Sequence, residues 1–210
     1  YAQLLFSKQK LYPCSCSRKK LFEENPVNAD GEVIYSGHCL KNPIDKNSDF
    51  ALRFKTPDKT ITWEDLLLGK FEENPKNQCG DFTIKDRISQ WTYQFAVCVD
   101  DLEENIGLVV RGEDLRNSTA RQIALLEALG KKTPPLYLHH PLLTEKSGEK
   151  LSKRQHSKSL RAELEQGLSI EDLLGLVCYE AHSIPKRAPL TLNEAISSIQ
   201  KTYFSCFLKK

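Results

Sequence analysis

The chain has 210 residues, 40% of them hydrophobic and 28% charged, with a formal net charge of +2. That balance excludes an intrinsically disordered chain, and no apolar run reaches the ~18 residues that a membrane helix needs. The net charge is too small to argue for nucleic acid by itself. Local charge is another matter, with Arg18, Lys19 and Lys20 in one basic turn and Lys146, Lys150, Lys153, Arg154, Lys158 and Arg161 in a second basic stretch.

Seven cysteines make an odd count, and no export signal opens the chain. Disulfides are therefore not expected. Cys79, Cys98, Cys178 and Cys206 are scattered singly and read as free thiols of a reducing cytoplasm. The sequence holds no methionine and opens in the helix-like YAQLLFSKQKL, so it is expected to be part of a longer product.

In chain order, residues 1–11 carry a helical pattern that ends at Pro13. The polar segment from Cys14 to Cys39 follows, rich in Asn, Gly and Pro between Asn25 and Gly31, and reads as a long loop. Short strands with a turn at Pro57-Asp58 are expected from Asp49 to Ile61. Thr62-Trp-Glu-Asp65 has the spacing of a capping box opening a helical turn, and Asp81–Ile84 reads as a strand. The apolar runs YQFAVCVDD (Tyr93–Asp101) and IGLVVRGEDL (Ile106–Leu115) suit strands of a parallel sheet covered on both faces. Thr119-Ala-Arg-Gln122 is a second capping box, with Gly130 as the helix stop, and PPLYLHHPLL reads as strand and loop. Further helices are expected to open at Ser169-Ile-Glu-Asp172 and Thr191-Leu-Asn-Glu194, separated by Pro185 and Pro189. The order predicts an α/β architecture in three parts: a metal-bearing small β/α module over 1–80, strand–helix–strand units over 81–160, and a helical tail over 161–210.

Three stretches carry chemistry. Cys14 and Cys16 in a C-x-C turn can face one ion with Cys39, and zinc takes four ligands. The fourth is Tyr35 or His38, and His38, next to Cys39, is the ligand that general statistics would pick. KLSKR (Lys150–Arg154) places two ammoniums, Lys150 and Lys153, and the Ser152 hydroxyl where they can meet a polyphosphate and neutralise a leaving pyrophosphate. In VVRGEDL, Arg111 follows a buried apolar run, at the strand end where α/β folds bind ligands, and its fork suits a carboxylate. An ion pair with Asp100, Asp101, Glu113 or Asp114 is the other reading of that arginine.

Taken together and in order, YQFAVCVDD, IGLVVRGEDLRNSTARQIALLEALG, PPLYLHHPLL and GEKLSKR resemble the catalytic domain of the class I glutamyl-tRNA synthetases over roughly residues 1–160. KLSKR is similar to that class's KMSKS signature, with Leu151 and Arg154 as departures. Within the family, C-S-C followed by Y-S-G-H-C resembles the glutamyl-Q tRNA(Asp) group, which lacks an anticodon-binding domain, and the end of the chain at Lys210 is expected to mean the same here. The resemblance implies the second half of a class I, Rossmann-like nucleotide-binding fold with an inserted zinc-bearing module. It implies zinc on Cys14, Cys16, Tyr35 and Cys39, glutamate on Tyr93 and Arg111, and ATP, with magnesium, on Ser152 and Lys153. Lys150 and Lys153 would act in catalysis. The implied reaction is ATP-dependent activation of glutamate and its transfer to the queuosine base of tRNA(Asp), by a cytoplasmic monomer with no membrane partner. None of the five histidines (His38, His139, His140, His156 and His182) lies in an HIGH-type motif, so the upstream half of the nucleotide fold is expected outside this sequence. The alternatives are a catalytic-domain fragment of an ordinary glutamyl-tRNA synthetase and a non-catalytic RNA-binding paralogue.

Overall fold

The structure, a computed structural model, describes residues 1–42, 44, 49–142 and 160–204. Two compact units divide the chain, one comprising 1–109 and 115–138, the other 110–114 and 139–210.

The first unit opens with α1 (Ala2–Ser7), which buries Leu5, and then enters strand β1 (Leu11–Cys14). The helical sequence pattern ends at Pro13, yet the strand runs through that residue. β1 lies at the edge of a three-stranded sheet, order β1-β2-β5, where a missing N–H costs no ladder bond. Its antiparallel partner is β2 (Ala51–Phe54), with Cys14 opposite Ala51, and β2 in turn pairs β5 (Thr83–Lys85). Between β1 and β2 the chain forms α2 (Arg18–Glu24), capped by the Ser17 hydroxyl, and the single turn α3 (His38–Lys41).

A second sheet has the order β4-β3-β7-β6. The Thr62–Asp65 stretch, expected to open a helix, is instead strand β3 (Ile61–Asp65), in a hairpin with β4 (Gly69–Glu73). The alternation decides it: Ile61, Trp63 and Asp65 are buried while Thr62 and Glu64 are exposed. The Asp65 carboxylate accepts from the N–H groups of Leu67 and Leu68 at 2.9 Å each, so DLLLG is the hairpin turn. Trp63 stacks on Phe71 across the pair, with ring centroids 4.6 Å apart. β3 runs parallel to β7 (Leu136–His140), so the sheet is mixed and not wholly parallel. The remaining strand is β6 (Leu108–Gly112), within the run read as a strand from its apolar pattern. α4 (Pro75–Cys79) leads into the glycine turn before β5.

The other correction concerns Tyr93–Asp101. This run is not a strand but the helix α5 (Tyr93–Glu103). Its fully buried positions are Phe95 and Cys98, three apart, which is one helical face; nine apolar-rich residues carry no periodicity strong enough to separate the two states. α6 (Thr119–Leu129) ends at Gly130 in the left-handed conformation, φ +105°, as its sequence requires. Its N-cap is Ser118, one residue before the expected Thr119, and Ser118 makes no side-chain cap bond. A 3₁₀ turn over Glu113–Ser118 runs straight into the helix, and the Gln122 side chain donates to Gln94 Oε1 of α5 at 2.8 Å. The core of this unit joins α1, β2, β3, β5, α5 and α6 through Leu5, Phe54, Ile61, Ile84, Phe95 and Leu125.

In the second unit, α7 (Leu160–Glu165), α8 (Ile170–Glu180) and α9 (Leu192–Tyr203) follow in order. Both helices open where expected, each with a capping box, Ser169 with Asp172 and Thr191 with Glu194. Cys178 and Ala195 are buried side chains between α8 and α9. Among the described residues no helix is long and apolar enough to cross a membrane.

Candidate functional site

Cys14 ends β1, Cys16 lies two residues on, and Cys39 sits in α3; their sulfur atoms all lie within 4.8 Å of one another. The Tyr35 hydroxyl lies among them, 3.4 Å from Cys14 Sγ and 3.6 Å from Cys16 Sγ, and Cys16 Sγ is 3.4 Å from Cys39 Sγ. A tetrahedral zinc with Zn–S near ~2.3 Å and Zn–O near ~2.0 Å sets S···O edges of about 3.5 Å and S···S edges of about 3.8 Å. The donor set and its spacing therefore fit a metal ion. His38, although next to Cys39, has its Nε2 3.5 Å from Lys20 Nζ on α2, and among the described residues the group of potential ligands contains no histidine.

What seats Tyr35 is not local. Its ring is 2% exposed, and the guanidinium of Arg53 on β2 lies 3.8 Å from the ring centroid. The Cys39 backbone N–H donates to the phenol oxygen at 2.9 Å. Beneath them Asp81, fully buried, accepts from Tyr12 Oη at 2.8 Å and from the Thr56 N–H at 2.9 Å, and pairs with Lys76. Its own backbone carbonyl accepts from Arg53 Nη1 at 2.6 Å. Asp81 thus has a counter-charge in Lys76, whereas Arg53 is held by the Asp81 carbonyl and the Tyr35 ring, with its Nε buried and unpartnered among the described residues.

The thiols are electrostatically unequal. Burial pushes the Cys16 thiol up to about 11, against a hydrogen bond from Tyr35. Burial also pushes Cys39 up, but hydrogen bonds from Tyr35 and the Ser15 backbone N–H outweigh it and bring that thiol to about 7. The Tyr35 phenol is raised by burial and by its bonds to the thiols.

Because the thiols and the Cys39 N–H converge on Tyr35 Oη, Tyr35→Phe is expected to weaken zinc binding by at least about tenfold and to destabilise the folded protein by roughly 1–3 kcal/mol, the cost of leaving the Cys39 N–H without an acceptor. Competition with a chromophoric chelator and denaturant titration read the two effects. Unchanged affinity would remove the phenol from the site.

The module is tied to the rest of its unit by arginines. Arg87 Nη2 donates to the carbonyl of Ser15, between the first two cysteines, at 2.9 Å. Arg121 of α6, 5% exposed, pairs with Glu32, and Arg116 pairs with Glu73 at 3.0 Å. Arg18 and Lys19 lie on α2, where Lys19 and Lys20 each pair with a glutamate one turn on, Glu23 and Glu24. Those pairs reduce the basic character expected of this turn.

The expected glutamate-binding residues fall in different units. Tyr93 is the first residue of α5, half exposed at 51%. Arg111 is on β6, where its Nε donates to Nε2 of His139 at 2.9 Å. That histidine is a residue the sequence reading assigned no role. The available signal was its place inside the apolar strand LYLHH, where a buried polar ring needs a partner. KLSKR, with Lys150, Ser152 and Lys153, lies outside the described residues. Cys79, Cys98 and Cys178 are buried and outside any disulfide, as expected; burial raises the Cys79 thiol to about 11.

Residues 1–192 match the family described as tRNA synthetases class I (E and Q), catalytic domain. The chain belongs to that family. It is 39% identical over 158 residues to a protein of Verminephrobacter eiseniae (strain EF01-2) named glutamyl-Q tRNA(Asp) synthetase, covering 72% of this chain and 54% of the relative. A protein of the same name from Nitratidesulfovibrio vulgaris is 35% identical over 188 residues, 85% of this chain and 58% of the relative. The chain spans about half the length of the curated relatives it matches. A crystal structure of a glutamate-tRNA synthetase from Elizabethkingia anophelis superposes with a TM-score of 0.67 over 96% of this chain and 52% of that one, at 22% identity, a likeness of fold. The class I synthetase α/β fold expected from the motifs is thus the fold of this chain.

Proposed function

We propose that the full-length protein condenses glutamate with ATP to give glutamyl-adenylate and pyrophosphate, and then transfers the glutamyl group to the queuosine base of tRNA(Asp). The observation that carries this reading is the phenol oxygen of Tyr35 set among three thiols, the ligand set that the resemblance gives to the glutamyl-Q group. The names of the relatives at 35% and 39% identity support the same choice.

In the first step the substrate carboxylate attacks the α-phosphorus, a P–O bond to pyrophosphate breaks, and no nucleophilic side chain is required. Positioning and charge stabilisation do the work. Tyr93 offers a hydroxyl at the start of α5, and Arg111 a guanidinium that suits a carboxylate. Lys150, Lys153 and Ser152 of the signature loop are assigned to the phosphates, with magnesium entering on ATP. Zinc on Cys14, Cys16, Tyr35 and Cys39 is structural: it staples a module whose own buried cluster is little more than its ligands and Tyr12. The enzyme acts as a monomer in the cytoplasm, where tRNA is.

Glutamate-dependent ATP–pyrophosphate exchange by the full-length protein, with and without tRNA, tests this reading. Exchange without tRNA is expected, followed by labelled glutamate on queuosine-containing tRNA(Asp). Exchange only in the presence of tRNA would replace the reading with an ordinary glutamyl-tRNA synthetase. No exchange from folded protein would replace it with a binding paralogue.

A further inference from the structure

We propose that His139 is the positioning residue that sets the guanidinium plane of Arg111 for glutamate recognition, an inference that rests on the reading of Arg111 as a carboxylate-binding arginine. His139 is fully buried, at 0% exposure, near the end of β7, with Tyr137 and Leu138 buried before it. Its Nε2 accepts from Arg111 Nε on β6, the next strand in the sheet order, at 2.9 Å.

A guanidinium has no acceptor, so the imidazole nitrogen facing it must carry a lone pair and the ring proton must sit on Nδ1. A neutral ring with that tautomer does something a carboxylate in its place would not. It fixes rotation about the last side-chain bonds through Nε, so that the plane of the fork is set before substrate arrives. It does so without adding a negative charge that would offset the attraction for a substrate carboxylate. An aspartate or glutamate at this position would hold the plane equally well and compete with the substrate for the same charge. Preorganisation of this kind lowers the cost of ordering the side chain on binding.

The test measures KM for glutamate and for ATP by pyrophosphate exchange in the full-length protein. His139→Leu is expected to raise KM for glutamate about ten- to a hundredfold, the scale of a lost hydrogen bond to a charged group, and to leave KM for ATP within about twofold. His139→Gln, whose amide oxygen can accept, is expected to stay within about threefold of wild type. An equal rise in both variants, or a rise in both substrates' KM values, would mark a merely structural residue and overturn the proposal. Arg111→Lys serves as the control. If it raises KM for glutamate and His139→Leu does not, the positioning role falls while the arginine's role stands. If Arg111→Lys leaves KM unchanged, the arginine's role falls and this one with it. Should His139→Leu fail to fold, nitrogen NMR of the wild-type imidazole decides: the proton on Nδ1 with a bare Nε2 at neutral pH is expected, and a protonated Nε2 overturns the proposal.

Discussion

Gly80→Ala is expected to cost about 3–5 kcal/mol, a large fraction of an ordinary domain's stability. A Cβ at this position would lie 2.1 Å from the carbonyl oxygen of Tyr35 and 2.6 Å from its nitrogen, and both are backbone atoms held in place by the Tyr35–Gly80 bridge. The Tyr35 N–H donates to the Cys79 carbonyl at 3.2 Å, so the segment carrying the phenol is laid directly on this glycine. Gly80 also holds φ +63° with ψ −146°, a region that belongs almost entirely to glycine. The matched control is Gly69→Ala in the β3–β4 hairpin, where φ is +88° but a Cβ would meet nothing within 4 Å. That change is expected to cost only ~1–2 kcal/mol of backbone strain. Urea titrations of the two variants separate the clash from the strain. Equal losses would show that Tyr35 does not need its close approach to residue 80.

On the proposed zinc site, metal removal is expected to be the second large effect. With a strong chelator, or in Cys39→Ala, amides from about residue 15 to 42 are expected to lose protection from hydrogen exchange, while those of α5, α6, α8 and α9 keep it. The physical reason is the size of the module's own core. Tyr12, Cys14, Tyr35 and Cys39 are its buried members, with Cys16, Leu21 and Ile44 packed at the margin, and α2 buries no residue fully. Structural zinc in small domains supplies on the order of 10 kcal/mol of folding free energy, at least as much as the burial of four such side chains. β1 is expected to survive, because its ladder to β2 runs from Leu11–Phe54 to Cys14–Ala51 and leans on the main core. Loss should therefore stop near Cys14. Undiminished protection across 15–42 in metal-free protein would rule out the staple and leave the thiols as ordinary packing.

Features governed by a few neighbouring residues are legible in the sequence alone. The Ser169 and Thr191 capping boxes and the Gly130 stop are local chemistry, and each forms as its residues dictate. The three cysteines group by spacing because a thiol in a polar loop has few other uses. The family, too, follows from motifs in order, since a linear sequence preserves their order and spacing. Tertiary structure decides whatever depends on distant partners. Thr62–Asp65 carries the letters of a capping box, yet pairing with β4 and β7 makes it a strand, since five residues gain more from sheet burial than from one cap. Tyr93–Asp101 is a helix because Phe95 and Cys98 meet the same core as α6, a face that a short apolar run cannot declare. Spacing admits both Tyr35 and His38, and general ligand statistics favour the histidine. Arg53 from β2 against the phenol ring and Lys20 beside the imidazole separate them, because which side chain turns toward the thiols is set by what packs behind it.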